Sequence, residues 1–428
     1  MGGAYKISAP DGRGRLPQSL EETGMAIVVQ KFGGSSVANA EKINRVAGII
    51  ADKYSEGNDV VVVLSAQGDT TDDLIEKAHE INKNPSRREM DMLLSTGEQM
   101  SIALCAMALE RMGLPVISLT GWQIGMYTNS DYSNARIKRI RGDRIMKELD
   151  KHRIVLVAGF QGVNKFDDIT TLGRGGSDTT AVAIAAMLHA DLCQIYTDVD
   201  GVYTTDPRHI KGARKLDEIS YDEMLELASM GAQVLHNRSV ELAKKYNVEL
   251  EVLSSYERKP GTIVREVVKV EKTKVGGIAK DTNVARIAVV GLEDEPGMAF
   301  KLFRVVAKEN INVDIILQSI GRHNTKDISF TTSRSDVDRA VKAIEAAKDT
   351  LRFEHIDVAT DVAKVSLVGL GIMSSVGTAS LMFEVLYNAK VNINMINTSE
   401  IKVSVLVDEK DAERTVQALH EAFFEDEG

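Results

Sequence analysis

The sequence predicts a mainly parallel α/β domain followed by two small ferredoxin-like α+β modules, and three observations carry that expectation. From Met25 to about Tyr256, short β-branched runs alternate with longer amphipathic ones. Runs that are apolar on both faces and separated by helices indicate a parallel sheet covered on both sides. After "SSYERKPGTIV" the glycine-rich turns disappear and shorter strand–helix–strand units take over. Those units repeat: "VGLEDEPGMAFKLFRVVAKENINVDII" matches "VGLGIMSSVGTASLMFEVLYNAKVNINMI", placing Gly297 on Gly377 and Asn312 on Asn392, both 80 residues apart. Two copies of a βαββα-type unit suit a pair of packed modules and are too few for a solenoid.

In chain order, "AIVVQ" is the first strand and "NAEKINRVAGIIADKY" its helix; "VVVVLSA" precedes the helix "DDLIEKAHEI". "PVISLTG", "RIVLVAGF" and "LCQIYTDV" are further strands, with "MSIALCAMALERM" and "YDEMLELASM" among the helices between them. In the repeats, "DISFTT" and "IKVSVLV" are strands, while "DVDRAVKAIEAAK" and "DAERTVQALHEAF" are the second helices. The expected divisions are 1–24, a polar leader or extension; 25–265, the α/β domain; and 266–428, the modules, with repeat units at about 284–350 and 362–428.

Composition narrows the function. A chain of 428 residues exceeds what one core usually supports. The formal charge of -10 argues against a nucleic-acid partner, which needs a surplus of Lys and Arg, so an anionic substrate must be held by a local cluster. Cys105 and Cys193 form neither a disulfide framework nor a zinc spacing, which fits a reducing cytoplasm. No segment approaches the roughly 18 apolar residues of a membrane span, so no membrane partner is expected.

The chemistry-bearing motifs follow the strands. In "VVQKFGGSSV", Lys31 ends the first strand, and Gly33, Gly34, Ser35 and Ser36 turn into a helix. Ligands of open α/β sheets sit at the carboxyl ends of strands, where glycines admit backbone amides to a polyphosphate and an ammonium neutralises a transferring phosphoryl group. The lysine precedes the glycines, so this is not a Walker A loop. The alternative is a tight turn with a surface lysine. "VLSAQGDTT" supplies the hydroxyls of Ser65 and Thr71 at the same edge, as ligands or as turn and cap residues. Glu98 sits where an apolar helix is expected to begin, either offsetting the helix dipole or accepting a substrate ammonium. In "GRGGSDTT", Arg174 can clamp a carboxylate in bidentate fashion, while Ser177 and Asp178 lie at a helix start. Asp178 is then either an N-cap or a carboxylate that orients Lys31 or organises Mg²⁺ through water. A substrate with both an amine and carboxylates would need Glu98 and Arg174 together, and an amino acid is such a substrate. "YTDVDGVYTTDPR" reads as turn chemistry or as a nucleotide cradle using Thr197, Asp198, Tyr203 and Arg208.

The motifs "KFGGSSV", "LLSTGEQ", "TTLGRGGSDTT", "YTDVDGVYTTDPR" and "MGAQVLHNRSVE", in this order and followed by two repeated modules, resemble the aspartate kinases. The resemblance runs from Met25 to the C-terminus and is nearest to the lysine-responsive bacterial type. It implies an amino-acid-kinase-like three-layer α/β/α sandwich with tandem ACT domains, and MgATP-dependent phosphorylation of the L-aspartate side-chain carboxylate. By this resemblance Lys31 stabilises transition-state phosphoryl oxygens and Asp178 organises the centre. Glu98 binds the α-ammonium and Arg174 the α-carboxylate, with Ser65, Thr71 and Ser177 nearby. Lys31, Gly33, Gly34, Ser35, Thr197, Asp198, Tyr203 and Arg208 serve the nucleotide. No dedicated metal ligand set is expected, and Mg²⁺ enters with ATP. An effector, lysine or threonine or both, is expected at Asp294, Gly297, Asn312, Asp314 and Gln318 and at Asn392, Asn394, Ser399 and Glu400, with the modules pairing across a dimer or tetramer. Two departures stand out: Ser35 replaces a frequent threonine, and Gln233 replaces a frequent nucleotide-contacting lysine. The rival readings are a kinase for another acceptor and a non-catalytic amino-acid sensor.

Overall fold

The computed structural model describes residues 25–229, 234–266, 275–319, 324–372 and 377–425. The leader 1–24 and Gln233 lie outside the described residues. Two compact units emerge. One comprises residues 25–202, 215–229 and 234–266; the other comprises Tyr203–Arg214 with 275–319, 324–372 and 377–425.

The first unit begins with β1 (Ile27–Phe32), α1 (Ala40–Ser55), β2 (Asp59–Leu64), α2 (Thr70–Ile81) and α3 (Arg87–Arg111). It continues through β3 (Val116–Leu119), β4 (Met126–Thr128), β5 (Ile137–Ile140), α4 (Asp143–Leu149), β6 (Ile154–Ala158), β7 (Gln161–Val163) and β8 (Ile169–Thr171). α5 (Gly176–Leu188), β9 (Leu192–Thr197), β10 (Glu218–Ser220), α6 (Tyr221–Ser229), α7 (Asn237–Tyr246), β11 (Leu250–Ser254) and β12 (Thr262–Arg265) complete it. The main sheet has the order β10-β12-β11-β9-β1-β2-β6-β3, parallel from β11 to β3, with β12 antiparallel to β11. A smaller sheet, β5-β4-β7-β8, carries the chain into the "LGRGG" turn.

Both faces of the main sheet are covered, which is why β2 is buried along its whole length. Val60, Val62 and Leu64 project into one core with Ile43, Val46 and Ile50 of α1 and Ile102, Cys105 and Leu109 of α3. The two-residue period turns Val61 and Val63 to the other face, where α5 packs on β1 and β2. Every residue of α5 is buried; its Gly, Ala and Thr side chains let the helix sit close to the sheet. Cys105 and Cys193 are free and buried, and burial raises both thiols, Cys105 to about 12.

α3 shows where the sequence reading fell short. It is long and apolar enough to cross a membrane by length and composition, whereas the sequence reading found no segment approaching that. Its apolar residues are interrupted by Ser95, Thr96, Gly97 and Ser101, and half of the stretch is buried inside the unit. Gly97 belongs mid-helix because a Cβ there would meet Ala66 Cβ at 2.8 Å; the close packing offsets the low helix propensity of glycine.

The second unit contains β13 (Gly277–Asp281), β14 (Ala285–Glu293), α8 (Met298–Lys308), β15 (Ile316–Gln318) and β16 (Thr325–Thr332). After these come α9 (Val337–Ala346), α10 (Lys348–Leu351), β17 (His355–Ala359), β18 (Val362–Val368), α11 (Thr378–Asn388), β19 (Met395–Ser399), β20 (Lys402–Asp408) and α12 (Ala412–His420). Two antiparallel sheets result, β15-β16-β14-β17 and β13-β18-β20-β19. The repeat seen in the sequence holds at the backbone: Gly297 and Gly377 both cap a helix in the left-handed region, at φ 95° and 103°. Each module gains one strand beyond the expected pattern, β17 in the first and the upstream β13 in the second.

The main sheet supplies a stability test. Leu156→Ala, at a fully buried β6 position, is expected to lower unfolding free energy by about 2–5 kcal/mol in urea titration. Ile81→Ala, at 90% exposure, should stay within about 0.5 kcal/mol of the parent. Equal effects would show that the α1/α3 face is not the core of this unit.

Candidate active site

Strand order reverses at β1: the succeeding strand β2 pairs on one side and the distant β9 on the other, both parallel. Such switch points open a crevice at the carboxyl ends of the strands. Lys31, opposite Val63 and Ile195, is at that edge. Its ammonium lies 2.6 Å from Asp178 Oδ1, and each side chain is only 12% exposed. Asp178 is not the helix cap: Gly175 holds that position without a side-chain hydrogen bond, and Asp178 is the third residue of α5. Its proximity to the positive helix terminus and to Lys31 stabilises a buried carboxylate.

Around this pair the strand ends converge. Gly33, Gly34, Ser35 and Ser36 form a 3-10 turn rather than leading straight into α1, which starts at Ala40 under an Asn39 cap. A Cβ on Gly33 would come within 3.5 Å of Lys31 Nζ, while one on Gly34 would strike Ala66 O at 2.6 Å. Gly33 therefore faces the ammonium, and Gly34 is pressed on the loop after β2. Ser35 is exposed, and its carbonyl accepts from Lys42 Nζ and Tyr256 Oη. Ser65 follows directly, its amide donating to Phe32 O at 3.2 Å, and Thr71 lies in the first turn of α2. A Cβ on Gly159 would touch Ser177 Oγ at 2.6 Å, which puts that hydroxyl at the ends of β2 and β6.

Glu98 is the other buried acid. It sits in the middle of α3, so the dipole reading of the sequence does not apply. Glu98 Oε1 accepts from Ala66 N at 3.2 Å, whereas Oε2 is buried without a partner among the described residues. At 3% exposure the charged form is poorly solvated, and burial pushes its pKa up to about 7. A buried carboxylate with an unused oxygen can receive an ammonium.

Arg174 is exposed and makes no hydrogen bond or ion pair with any described residue, so its guanidinium is available. Its turn is firmly held. Gly173 and Gly175 have φ of 76° and 66°, and a Cβ on Gly175 would collide with His236 Cγ at 2.2 Å. His236 accepts from Arg238 N at the start of α7; burial lowers its pKa, consistent with a structural neutral ring. Arg238 bonds Leu172 O at 2.6 Å and Ala135 O at 3.0 Å, so it braces the turn. Sequence reading missed Asp91, which is fully buried and accepts from Ser133 N, Ser133 Oγ, Thr171 N and Thr171 Oγ1 at 2.8–3.2 Å. Its spacing from Ser95 and Glu98 on one helical face was the available signal.

The residues expected for the nucleotide divide. Thr197 and Asp198 stand at the end of β9, with Thr197 Oγ1 donating to Asp198 Oδ1 at 3.0 Å. Tyr203 and Arg208 belong to the other compact unit. Arg208 lies 2.7 Å from Asp206, whose carboxyl it holds below the usual range. The pair is exposed, with Arg208 at 83%.

In the repeated modules, Gly297 and Gly377 have open space where a side chain would project. Two of the expected ammonium acceptors are already occupied, however: Asp294 pairs with Lys326 at 2.7 Å, and Asp314 pairs with the buried Lys364. Asn312 and Gln318 are exposed, the former accepting Thr332 Oγ1 through its carbonyl. Asn394 donates to Asp408, Asn392 and Glu400 are exposed, and Ser399 Oγ is buried without a hydrogen-bond partner among the described residues. Alternation and loop position announced these residues, but pairing partners distant in sequence could not be read.

Among the described residues no three His, Cys, Asp or Glu side chains converge on a metal-sized site. A lone carboxylate such as Asp178 fits a Mg²⁺ ion that brings its remaining oxygens with a nucleotide.

The chain matches the amino acid kinase family over residues 26–254 and the ACT domain over 287–347 and 365–423. It is 50% identical over 400 residues to an aspartokinase of Bacillus sp. (strain MGA3), covering 93% of this chain and 97% of that protein. Among solved structures, it resembles E. coli aspartokinase III in complex with aspartate and ADP (R-state), at 28% identity and TM-score 0.76, covering 93% of this chain and all of the other. The same enzyme in complex with lysine and aspartate (T-state) matches at TM-score 0.72, 28% identity and 93% and 99% coverage. A conserved-length match of this kind, on top of the Lys31–Asp178 edge and the tandem modules, assigns the chain to the aspartokinase family.

Proposed function

We infer that this protein transfers the terminal phosphoryl group of ATP to the side-chain carboxylate of L-aspartate, forming 4-phospho-L-aspartate. The observation that carries this reading is the meeting of the buried Lys31–Asp178 pair and the Gly33 turn at one sheet edge. Bound MgATP supplies the phosphoryl group. Lys31 places a desolvated positive charge where two anionic reactants must approach, and Asp178 holds that ammonium in place. The acceptor carboxylate is already nucleophilic, so no strong general base is required. Glu98 takes the substrate ammonium, Arg174 its α-carboxylate, and Ser65, Thr71 and Ser177 add hydroxyls; Gly34, Ser35, Thr197, Asp198, Tyr203 and Arg208 serve the nucleotide.

The proposed organisation is a catalytic domain at 25–265 and regulatory modules at 266–428 that bind lysine, threonine or both. Helix termini at Gly297 and Gly377 suit an effector carboxylate. Effector ammonium groups reach Asp294 or Asp314 by competing with Lys326 or Lys364. The exposed apolar strand β15, with Ile316 and Leu317, supports self-association as a dimer or tetramer through the modules. The free buried thiols support a cytoplasmic setting.

The direct test is aspartate-dependent ADP formation with Mg²⁺ and ATP, titrated with lysine, threonine and both. A preference for another acceptor, or binding without turnover, rejects the assignment.

Two further outcomes follow from the site. Lys31→Ala should cut kcat by about 100-fold or more while changing aspartate affinity less than about 10-fold; equal losses contradict a transition-state role. For Glu98, a pKa of about 7 in the folded protein means that the acid is protonated below that value, and an ammonium prefers the ionised form. Aspartate affinity should therefore fall as pH drops through about 7, by at most about tenfold per pH unit, and Glu98→Gln should flatten the profile. Because the pKa is raised, ionising Glu98 destabilises the ligand-free fold as pH rises from 4.5 towards 7. Calorimetry at pH 8 should then find Glu98→Gln more stable without aspartate, by up to about 3 kcal/mol.

A further inference from the structure

The segment "SSYE", Ser254–Glu257, leaves the carboxyl end of β11 at the edge where β1 and β9 also end. In the sequence it marked only a change of texture. It belongs, with β1, β9 and α1, to the first compact unit. The sheet order here is β11-β9-β1, so a group at the end of β11 must reach across β9 to meet the turn after β1.

Ser255 makes that reach. Its amide donates to Thr197 O at 2.9 Å, and its hydroxyl donates to the same oxygen at 3.2 Å. The hydroxyl of Ser36, in the turn that begins at Gly33, donates to Ser255 Oγ at 2.8 Å. Ser36 and Ser255 are 2% and 3% exposed, so bulk water cannot stand in for either partner. Tyr256 holds the same turn from outside: its phenol donates to Ser35 O at 3.1 Å, beside Lys42 Nζ at 2.9 Å. Lys42 Nζ and the Arg45 guanidinium of α1 lie 5.5 and 5.4 Å from the centre of its ring. A local turn aims the segment, because Ser254 Oγ accepts from Tyr256 N and Glu257 N at 3.1 and 3.2 Å. Two adjacent glycines give the β1 turn a freedom that burial alone does not remove; a directional chain of hydroxyls does remove it.

We propose that Ser255 is a positioning residue for the nucleotide, tying the glycine turn after β1 to the end of β9 through the Ser36–Ser255–Thr197 chain. This rests on the reading of Gly33, Gly34, Ser35 and Thr197 as nucleotide contacts. Ser255 itself need not touch the nucleotide: it fixes the spacing of two segments that do. Its loss weakens nucleotide binding and leaves the acceptor side, built from Glu98 on α3 and Arg174 ahead of α5, in place. A hydroxyl pair that served stability alone would affect both substrates alike.

The test compares nucleotide with acceptor kinetics in the full chain. Ser255→Ala should raise KM for MgATP about 10-fold while KM for aspartate and kcat stay within about twofold. Ser36→Ala removes the other hydroxyl of the pair and should raise KM for MgATP by a similar factor; it carries the test if Ser255→Ala fails to fold. Because both variants break one bond, the double variant should stay within about twofold of either single one, where independent effects would multiply to about 100-fold. An unchanged KM for MgATP in a folded variant, parallel rises in both KM values, or multiplying effects in the double variant overturns the proposal. If the parent protein does not phosphorylate aspartate, the functional reading fails by itself. The positioning inference is then decided by the dissociation constant of a fluorescent ATP analogue, with the same 10-fold weakening expected in Ser255→Ala and an unchanged constant rejecting it.

Discussion

A lysine and an aspartate 2.6 Å apart in a nearly dry crevice set the terms for the rest of the kinase unit. Removing charged groups from water is costly, and such a pair is retained only where geometry recovers much of the loss. Here the geometry comes from two directions. β1 delivers Lys31 from the centre of the parallel sheet, and α5 delivers Asp178 from its first turn. The helix approaches closely because it is made of small residues and because Gly175 and Gly176 leave room for His236 and Phe160. The pair is better understood as an investment of fold stability in a positioned charge than as a source of stability.

Glu98 embodies the same logic in a different form. Gly97 is a poor helix residue, yet it lets α3 press against Ala66, whose amide holds one oxygen of the adjacent carboxylate. The other oxygen is left without a partner among the described residues, at an electrostatic cost that burial makes visible in its raised pKa. Local rules are broken side by side at this point, as is common where a protein prepares a site for a ligand. Asp91, two helical turns away, spends its charge differently: all its capacity goes into fixing Ser133 and Thr171, and so the arginine-bearing turn beyond them.

The regulatory unit is interleaved in sequence. Its second sheet recruits β13 from upstream of the first module, and its core takes Ile210 from an excursion within the kinase sequence. Such exchange makes the module boundaries in sequence and in space differ. Within that unit the buried Lys364 pairs with Asp314.

The sequence by itself determined the class of fold and marked candidates for the site. Apolar runs of strand length imposed a covered parallel sheet, because no other arrangement buries both faces; an 80-residue repeat announced two modules; and glycines beside charged residues marked Lys31, Arg174 and Asp178. Tertiary structure alone decided partnership. Whether Asp178 caps a helix or holds Lys31, whether Glu98 is at a helix end or buried at mid-helix, whether Asp294 and Asp314 are open or already paired, and which module claims Ile210 are all settled by groups far away along the chain. Local propensity registers neighbours within a few residues, whereas desolvation and ion pairing depend on what the fold brings into contact, and that information resides in the packing.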